Sequence, residues 1–160
     1  MKPGEKFVLG AIAALLVFGV VRNEVHVEDK HEKDIPYYST ATPEVASRAM
    51  DVYRDNGCKS CHSLWTSKDM TQSVPAPIMD GIGSIRDEEW LYNYLSAENP
   101  QSVIPSRLKK QYRMPSFASL PEADRRVLAK YLASLKVQDW YLEETKKAEY
   151  EKLTGLDYKK

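Results

Sequence analysis

Residues 58–62 read CKSCH, and this cluster constrains the fold more than any other feature of the 160-residue chain. It contains both cysteines of the sequence, Cys58 and Cys61, with His62 directly behind them. Cysteines at this spacing cannot close the long loops that stabilise a disulfide-rich secreted domain. Three uses of the cluster remain: a redox dithiol, a zinc site and covalent attachment of haem.

Covalent haem attachment fits the sequence better than the other two. A redox C-x-x-C motif accompanies a βαβ pattern, and no segment here has a strand pattern. A zinc site needs four nitrogen or sulfur ligands, and the remaining histidines, His26 and His31, lie in a charged segment. C-x-x-C-H is the sequence signature of haem attachment, in which each cysteine bonds one vinyl group and the histidine becomes the proximal iron ligand.

Helix signals around the cluster predict an all-α domain with long loops. Thr42-Pro43 starts a first helix, which Asn56-Gly57 ends before the cluster. A second helix is predicted over Asp87–Leu95, with Asp87 as its N-cap, and a third from about Pro121 to Lys136. Three short helices bury little apolar surface, so such a domain needs additional stabilisation. A group bound by the CKSCH cluster would supply it.

The N-terminal segment differs from the rest of the chain. Phe7 to Val21 is an uncharged apolar run that reaches the ~20 residues of a membrane span only if residues 3–22 are counted. A cleaved signal peptide is the alternative, but no convincing small-x-small site follows the run. The sequence therefore predicts a membrane anchor over residues 1–22 and a charged tether over residues 23–41, with the N-terminus inside and the bulk of the chain outside.

An electron-transferring haem needs a second axial ligand, and a methionine thioether is one that raises the potential. The candidates are Met50, Met70, Met79 and Met114. Met114 is favoured because it follows a long irregular loop and precedes Pro115, which stiffens the chain. For the other three, filling of the core is the simpler interpretation.

The order of these segments resembles the class I (mitochondrial-type) cytochrome c family. The resemblance covers about Thr42 to Lys136 and rests on the segments DNGCKSCH, PAPIMDGIG, EEWLYNYL, YRMPSF and ADRRVLAKYLASL. It implies one covalent haem c on Cys58 and Cys61. It also implies that His62 is the proximal iron ligand and Met114 the distal one.

The resemblance also implies a role for Pro77. In the family a Gly-Pro-x-Leu loop offers its proline carbonyl to the Nδ1–H of the proximal histidine, which orients the ring. Ala76 and Met79 stand here where the family has Gly and Leu, and Met79 is a minor rival ligand.

The anchor and the loop before Met114 are similar to those of small membrane-bound haem-c subunits of bacterial respiratory complexes, such as nitric oxide reductases and cbb3-type oxidases. The similarity implies an electron carrier, not itself an enzyme, at the periplasmic face of a bacterial inner membrane. A free membrane-tethered shuttle is one alternative. A five-coordinate haem protein that binds gas or peroxide is another.

Two segments could contact partners. The basic loop Arg107–Arg113, with Arg107, Lys109, Lys110 and Arg113, could dock an acidic redox protein or simply be solvated. The charged extension over residues 137–160 could dock a neighbouring subunit, or form a solvated helix with pairs such as Glu143–Lys147. The 23 basic and 23 acidic residues balance, which does not indicate nucleic acid as a partner.

Overall fold

The computed structural model describes residues 4–5, 10–19, 35–65, 74 and 76–159. The chain divides into two units, Met1–Ile35 and Pro36–Lys160. In the first unit residues 10–19 are helical. Within the described part of the chain, no helix has both the length and the apolar character that crossing a membrane requires. Residues 1–3, 6–9 and 20–22 of the predicted anchor, and both histidines of the tether, lie outside the described residues.

The described residues of the second unit are mostly helical. In chain order the regular elements are β1 (Tyr37–Ser39), α1 (Pro43–Asp55), α2 (Glu88–Ser96), α3 (Pro100–Val103), α4 (Glu122–Ser134), β2 (Leu135–Val137) and α5 (Leu142–Thr154). Short 3₁₀ turns lie at Cys58–Ser60, Ile82–Ser84, Lys110–Tyr112 and Asp139–Tyr141.

The capping residues predicted for α1 and α2 are confirmed. The Thr42 hydroxyl accepts the Val45 N–H at 3.5 Å, and Pro43 begins α1. The Asp87 carboxylate accepts the Trp90 N–H of α2 at 2.7 Å. Each cap satisfies a backbone donor that a helix leaves unpaired at its start.

The hydrophobic core lies where α4 packs against both α1 and α2. Its buried members include Ala49, Val52 and Tyr53 of α1, Leu91 and Leu95 of α2, and Leu128, Ala129, Tyr131 and Leu132 of α4. These positions recur every three or four residues along each helix, as an amphipathic helix requires. α4 therefore holds in place both α2 and α1, the helix that leads into the CKSCH cluster.

The expectation that the chain has no strand is wrong. β1 and β2 pair antiparallel, with Tyr37 opposite Val137 and Ser39 opposite Leu135. Three-residue strands are too short to show an alternating pattern, and the helical pattern of α4 runs on into β2 in the sequence. Residues 37–39, which we assigned to the tether, are therefore part of the folded unit.

The charged C-terminal segment packs on its own domain. Arg86 forms an ion pair with Glu149 of α5 at 3.1 Å, and Tyr141 packs edge-on against Tyr37, with ring centroids 5.6 Å apart. Lys146 pairs with Glu143 at 2.8 Å, one position short of the partner that the sequence predicted. The helix expected as one of two alternatives is thus present, and it contacts the domain.

Candidate functional site

The CKSCH cluster begins three residues after the end of α1 at Asp55. Gly57 takes a left-handed backbone conformation with φ 66°, which glycine adopts without strain, and a 3₁₀ turn follows over Cys58–Ser60. The N–H groups of Cys61 and His62 both donate to the Cys58 carbonyl, at 3.2 and 2.9 Å. This tight turn places both thiols and the imidazole along one cavity.

His62 is held from two sides. Its Nδ1 lies 2.8 Å from the Pro77 carbonyl oxygen, the contact that the resemblance implied. The Tyr53 hydroxyl donates to the His62 carbonyl at 2.9 Å. Burial lowers the pKa of His62, while the hydrogen bond to Pro77 opposes the shift. The imidazole is therefore neutral, with Nδ1–H donating to Pro77 and Nε2 carrying the lone pair that a metal needs.

The loop that carries Pro77 is joined to the chain behind His62. The Met79 N–H donates to the Ser63 carbonyl at 3.0 Å, and the Trp65 N–H donates to the carboxylate of Asp80, which is 5% exposed. Trp65 has a left-handed φ of 55°, rare for a large side chain, and its indole N–H donates to the Tyr131 hydroxyl at 3.1 Å. These hydrogen bonds keep the Pro77 carbonyl within hydrogen-bonding distance of the His62 ring.

A cavity of about 1260 Å³ opens beside the cluster. It exceeds the roughly 300–1,000 Å³ of an ordinary small-molecule pocket, so it has room for a porphyrin-sized group. Apolar side chains of the core, Leu91, Leu95, Leu128 and Leu132 among them, line it together with Cys58, Cys61 and His62.

The four candidate methionines differ in whether they line the cavity. Met114 and Met79 both line the cavity, whereas Met50 packs against the core and Met70 lies outside the described residues. Met114 is half-buried, and its carbonyl accepts the side-chain amide of Gln101 at 2.9 Å. Met79 shares the loop of Pro77, which already contacts His62. Met114 is therefore the thioether brought to the cavity by a separate segment.

The two thiols suit covalent attachment better than the rival chemistries. Cys58 and Cys61 form no disulfide and are half-buried, and burial raises the pKa of Cys58 to about 11. A redox dithiol works through a lowered thiol pKa, the opposite of this environment. Among the residues that the structure describes, no three His, Cys, Asp or Glu side chains converge as a metal site.

Residues 46–136, more than half of the chain, match the family model for cytochrome c. The chain belongs to the cytochrome c family. Among curated proteins, cytochrome c oxidase subunit 2 of Alkalihalophilus pseudofirmus is 29% identical to this cytochrome c over 102 residues. That match covers 61% of the chain and 28% of the relative, so the chain spans little more than a quarter of the relative's length. No solved structure matches.

The site fits the haem c that a cytochrome c carries. The cavity supplies two thiols three positions apart, a neutral imidazole with Nε2 available, and a thioether. Its apolar wall suits the face of a porphyrin. These donors come from residues that the sequence predicted as a group.

Two parts of the site were not predicted. Gln101 of α3, which bonds the Met114 carbonyl, gave no signal beyond the Asn99-Pro100 start of its helix. Ala148, Glu149, Glu151, Lys152 and Leu153 of α5 also line the cavity of this cytochrome c. This face of the helix mixes charged and apolar residues, so the sequence does not show the apolar stripe by which a packed helix face is recognised.

The basic loop is only partly available for docking. The Arg107 guanidinium donates to the carbonyls of Leu153 and Lys152, at 3.3 and 3.2 Å, and the Arg113 Nε donates to the Leu108 carbonyl at 2.8 Å. Lys109 and Lys110 are exposed. Two of the four basic residues predicted for docking, Arg107 and Arg113, thus form hydrogen bonds within the cytochrome itself.

Proposed function

We propose that this cytochrome c carries one electron at a time on a single haem c. In this proposal Cys58 and Cys61 hold the haem by thioethers, and His62 and Met114 are its axial ligands. The observation that carries the proposal is the convergence of these four side chains on one cavity. A haem c bound there supplies the one-electron step between ferrous and ferric iron.

The residues around His62 keep the site rigid. Pro77 fixes the ring through Nδ1, and Tyr53 fixes the backbone carbonyl of the same residue. Because both contacts belong to neutral groups held by packed elements, they need not rearrange when the charge at the centre of the cavity changes. Small rearrangement favours fast electron transfer, and the leucine-rich wall keeps water away.

We further propose that the protein is a membrane-anchored subunit of a larger respiratory complex. The apolar run over residues 7–21 and the similarity to a protein named as an oxidase subunit support this placement. Residues 3–22 would enter a bacterial inner membrane, with the haem domain on the periplasmic side. The alternative is a free membrane-tethered shuttle with the same haem chemistry. Co-purification of solubilised full-length protein with other subunits would separate the two.

A redox partner would approach near Lys109 and Lys110. Both are exposed, and Lys110 lines the rim of the cavity. Exposed cations beside a redox centre steer acidic partners at low ionic strength. We therefore propose an acidic redox protein as the partner at this loop.

The function is tested by an anaerobic redox titration of the full-length protein, followed by addition of carbon monoxide to the reduced form. We expect a single one-electron transition and no spectral change with carbon monoxide, because both axial positions are filled. A reduced spectrum that shifts with carbon monoxide would instead favour the five-coordinate, gas-binding alternative.

A further inference from the structure

One face of α5 is turned toward the cavity and the domain. Ala148, Glu149, Lys152 and Leu153 line the cavity. One turn earlier, Thr145 lies against Gly81, where an added Cβ would be 3.4 Å from the Thr145 methyl carbon. These five positions follow the i, i+3, i+4, i+7, i+8 spacing of a helix face packed on a domain. All of them lie beyond residues 46–136, the part that matches the family.

A salt bridge holds the middle of this helix. Arg86 Nη2 lies 3.1 and 3.2 Å from the two carboxylate oxygens of Glu149, and the two side chains are 29% and 16% exposed. The Arg86 guanidinium also lies 4.8 Å above the ring of Trp90, which lines the cavity. A half-buried pair backed by an aromatic ring is a stronger tie than a surface ion pair.

A second arginine holds the end of the helix. The last carbonyls of a helix have no partner within it, and Arg107 supplies donors to two of them, those of Lys152 and Leu153. Gly155 ends the helix with φ 71°, and a Cβ at that position would overlap the Arg107 guanidinium. Arg107 itself lines the cavity, so the helix end is fixed at the cavity rim.

The entry to the helix is fixed as well. The Val137 N–H donates to the Ser84 hydroxyl at 3.0 Å, and the Gln138 N–H donates to the Pro36 carbonyl at 2.8 Å. A Cβ at Gly81 would overlap the Val137 side chain, so glycine is needed for this close approach. The beginning, middle and end of the C-terminal segment are thus each tied to the domain.

We propose that α5 is part of the haem site and forms a wall that the family-matched domain does not supply. This inference rests on the proposed function, since it assigns residues to the same haem. The helix excludes water from one end of the cavity. Because water stabilises the more highly charged ferric form, its exclusion raises the reduction potential.

The test compares Ala148→Pro with Lys147→Arg, a control that keeps the charge and the trypsin site, in the full-length, haem-loaded protein. Proline removes a hydrogen bond from the middle of α5 and disrupts the helix there without changing any charge. We expect trypsin to cleave after Lys146, Lys147 and Lys152 roughly 100-fold faster. We also expect a lower midpoint potential and a larger response of the Soret band to added glycerol. Lys147→Arg, at an exposed position of α5 that does not line the cavity, should change none of these measurably.

A second pair of variants keeps the test decisive if Ala148→Pro does not mature. Arg107→Lys keeps the charge but loses the planar fork that spans two carbonyls. Its control, Arg126→Lys, removes the same fork from an exposed partner, Glu122, on α4. We expect a lower potential and a larger glycerol response for Arg107→Lys alone.

Two outcomes separate this inference from the function itself. Rapid cleavage of α5 in Ala148→Pro with an unchanged potential and Soret response would show that the helix is not part of the haem site. If Ala148→Pro does not incorporate haem, the second pair of variants decides the question. A midpoint potential and a glycerol response of Arg107→Lys equal to those of Arg126→Lys would also overturn the inference that α5 is part of the haem site. A wild-type protein that holds no haem, or that binds carbon monoxide, would overturn the proposed function whatever the variants do.

Discussion

The proximal segment, which is residues 58–65 and 76–80, and the C-terminal segment, residues 137–159, both contribute to the same cavity but are held in different ways. Around His62 the ties are hydrogen bonds in which at least one partner is usually a backbone group: the Pro77 carbonyl accepts from the His62 ring, and the Met79 N–H donates to the Ser63 carbonyl. Around α5 they are chiefly long cationic side chains, Arg86 and Arg107. The ties around His62 orient the ring and the carbonyl of one residue, whereas the ties of α5 position a wall of the cavity.

The comparison also separates two kinds of effect. Changes in the proximal segment should alter whether haem is held and how His62 is oriented. Changes in the C-terminal segment should leave the ligands alone and alter exposure to water. The following changes test that division, beginning with the largest effect.

Replacing both Cys58 and Cys61 by serine should remove the covalent haem completely. Because the three-helix core is small, we also expect loss of most of the cooperative unfolding transition. Haem staining on a denaturing gel and the intact mass give the first result, and thermal melting followed by circular dichroism gives the second. Lys59→Ala, in the same turn, is the control. A stained band in the double variant would show that the chain retains haem without thioether bonds to these cysteines.

Replacing Asp80 by alanine should destabilise the proximal loop by about 1.5–3 kcal/mol, since the Trp65 N–H would lose a charged, buried acceptor. Asp80→Asn keeps an acceptor and should cost less. Guanidinium unfolding of the two variants measures the difference. Equal stabilities for wild type and Asp80→Ala would mean that this hydrogen bond does not secure the loop.

The smallest expected effect is a pH dependence of α5. Burial raises the pKa of Glu149 above its ordinary value, although Arg86 opposes the shift. A carboxyl group with a raised folded-state pKa stabilises the fold fully below its unfolded pKa, and this contribution is lost as the pH rises through the folded pKa. Hydrogen-exchange protection of α5 should therefore decline above about pH 4.5.

Two variants give this pH dependence its controls. Glu149→Gln should remove the decline, and Glu144→Gln, on the exposed side of the same helix, should retain it. A wild-type protection that rises over this range would show that the ion pair with Arg86 outweighs burial.

The parts of the structure that the sequence predicted are those with local chemistry. Thr42-Pro43 and Asp87 mark helix starts through bonds to residues three positions away, and CKSCH carries its ligand spacing within five residues. The contact between Pro77 and His62 joins residues 15 positions apart. It was available only through the resemblance to the family.

The parts that were not predicted depend on long-range pairing. β1 and β2 are three residues each and meet across about a hundred positions, so neither shows a pattern alone. α5 presents Glu149 and Lys152 toward the cavity, and such residues normally face water. The placement of Arg86 and Arg107 explains why that face is turned toward the domain.

The central claim, that His62 and Met114 ligate one haem, is tested most directly by optical and electron paramagnetic resonance spectra of the oxidised protein. Wild type, Met114→Ala and Met79→Ala should be compared. We expect a low-spin wild type with the weak sulfur-to-iron band in the far red, loss of that band in Met114→Ala, and its retention in Met79→Ala. A band that survives in Met114→Ala, or a high-spin wild type, would contradict the account.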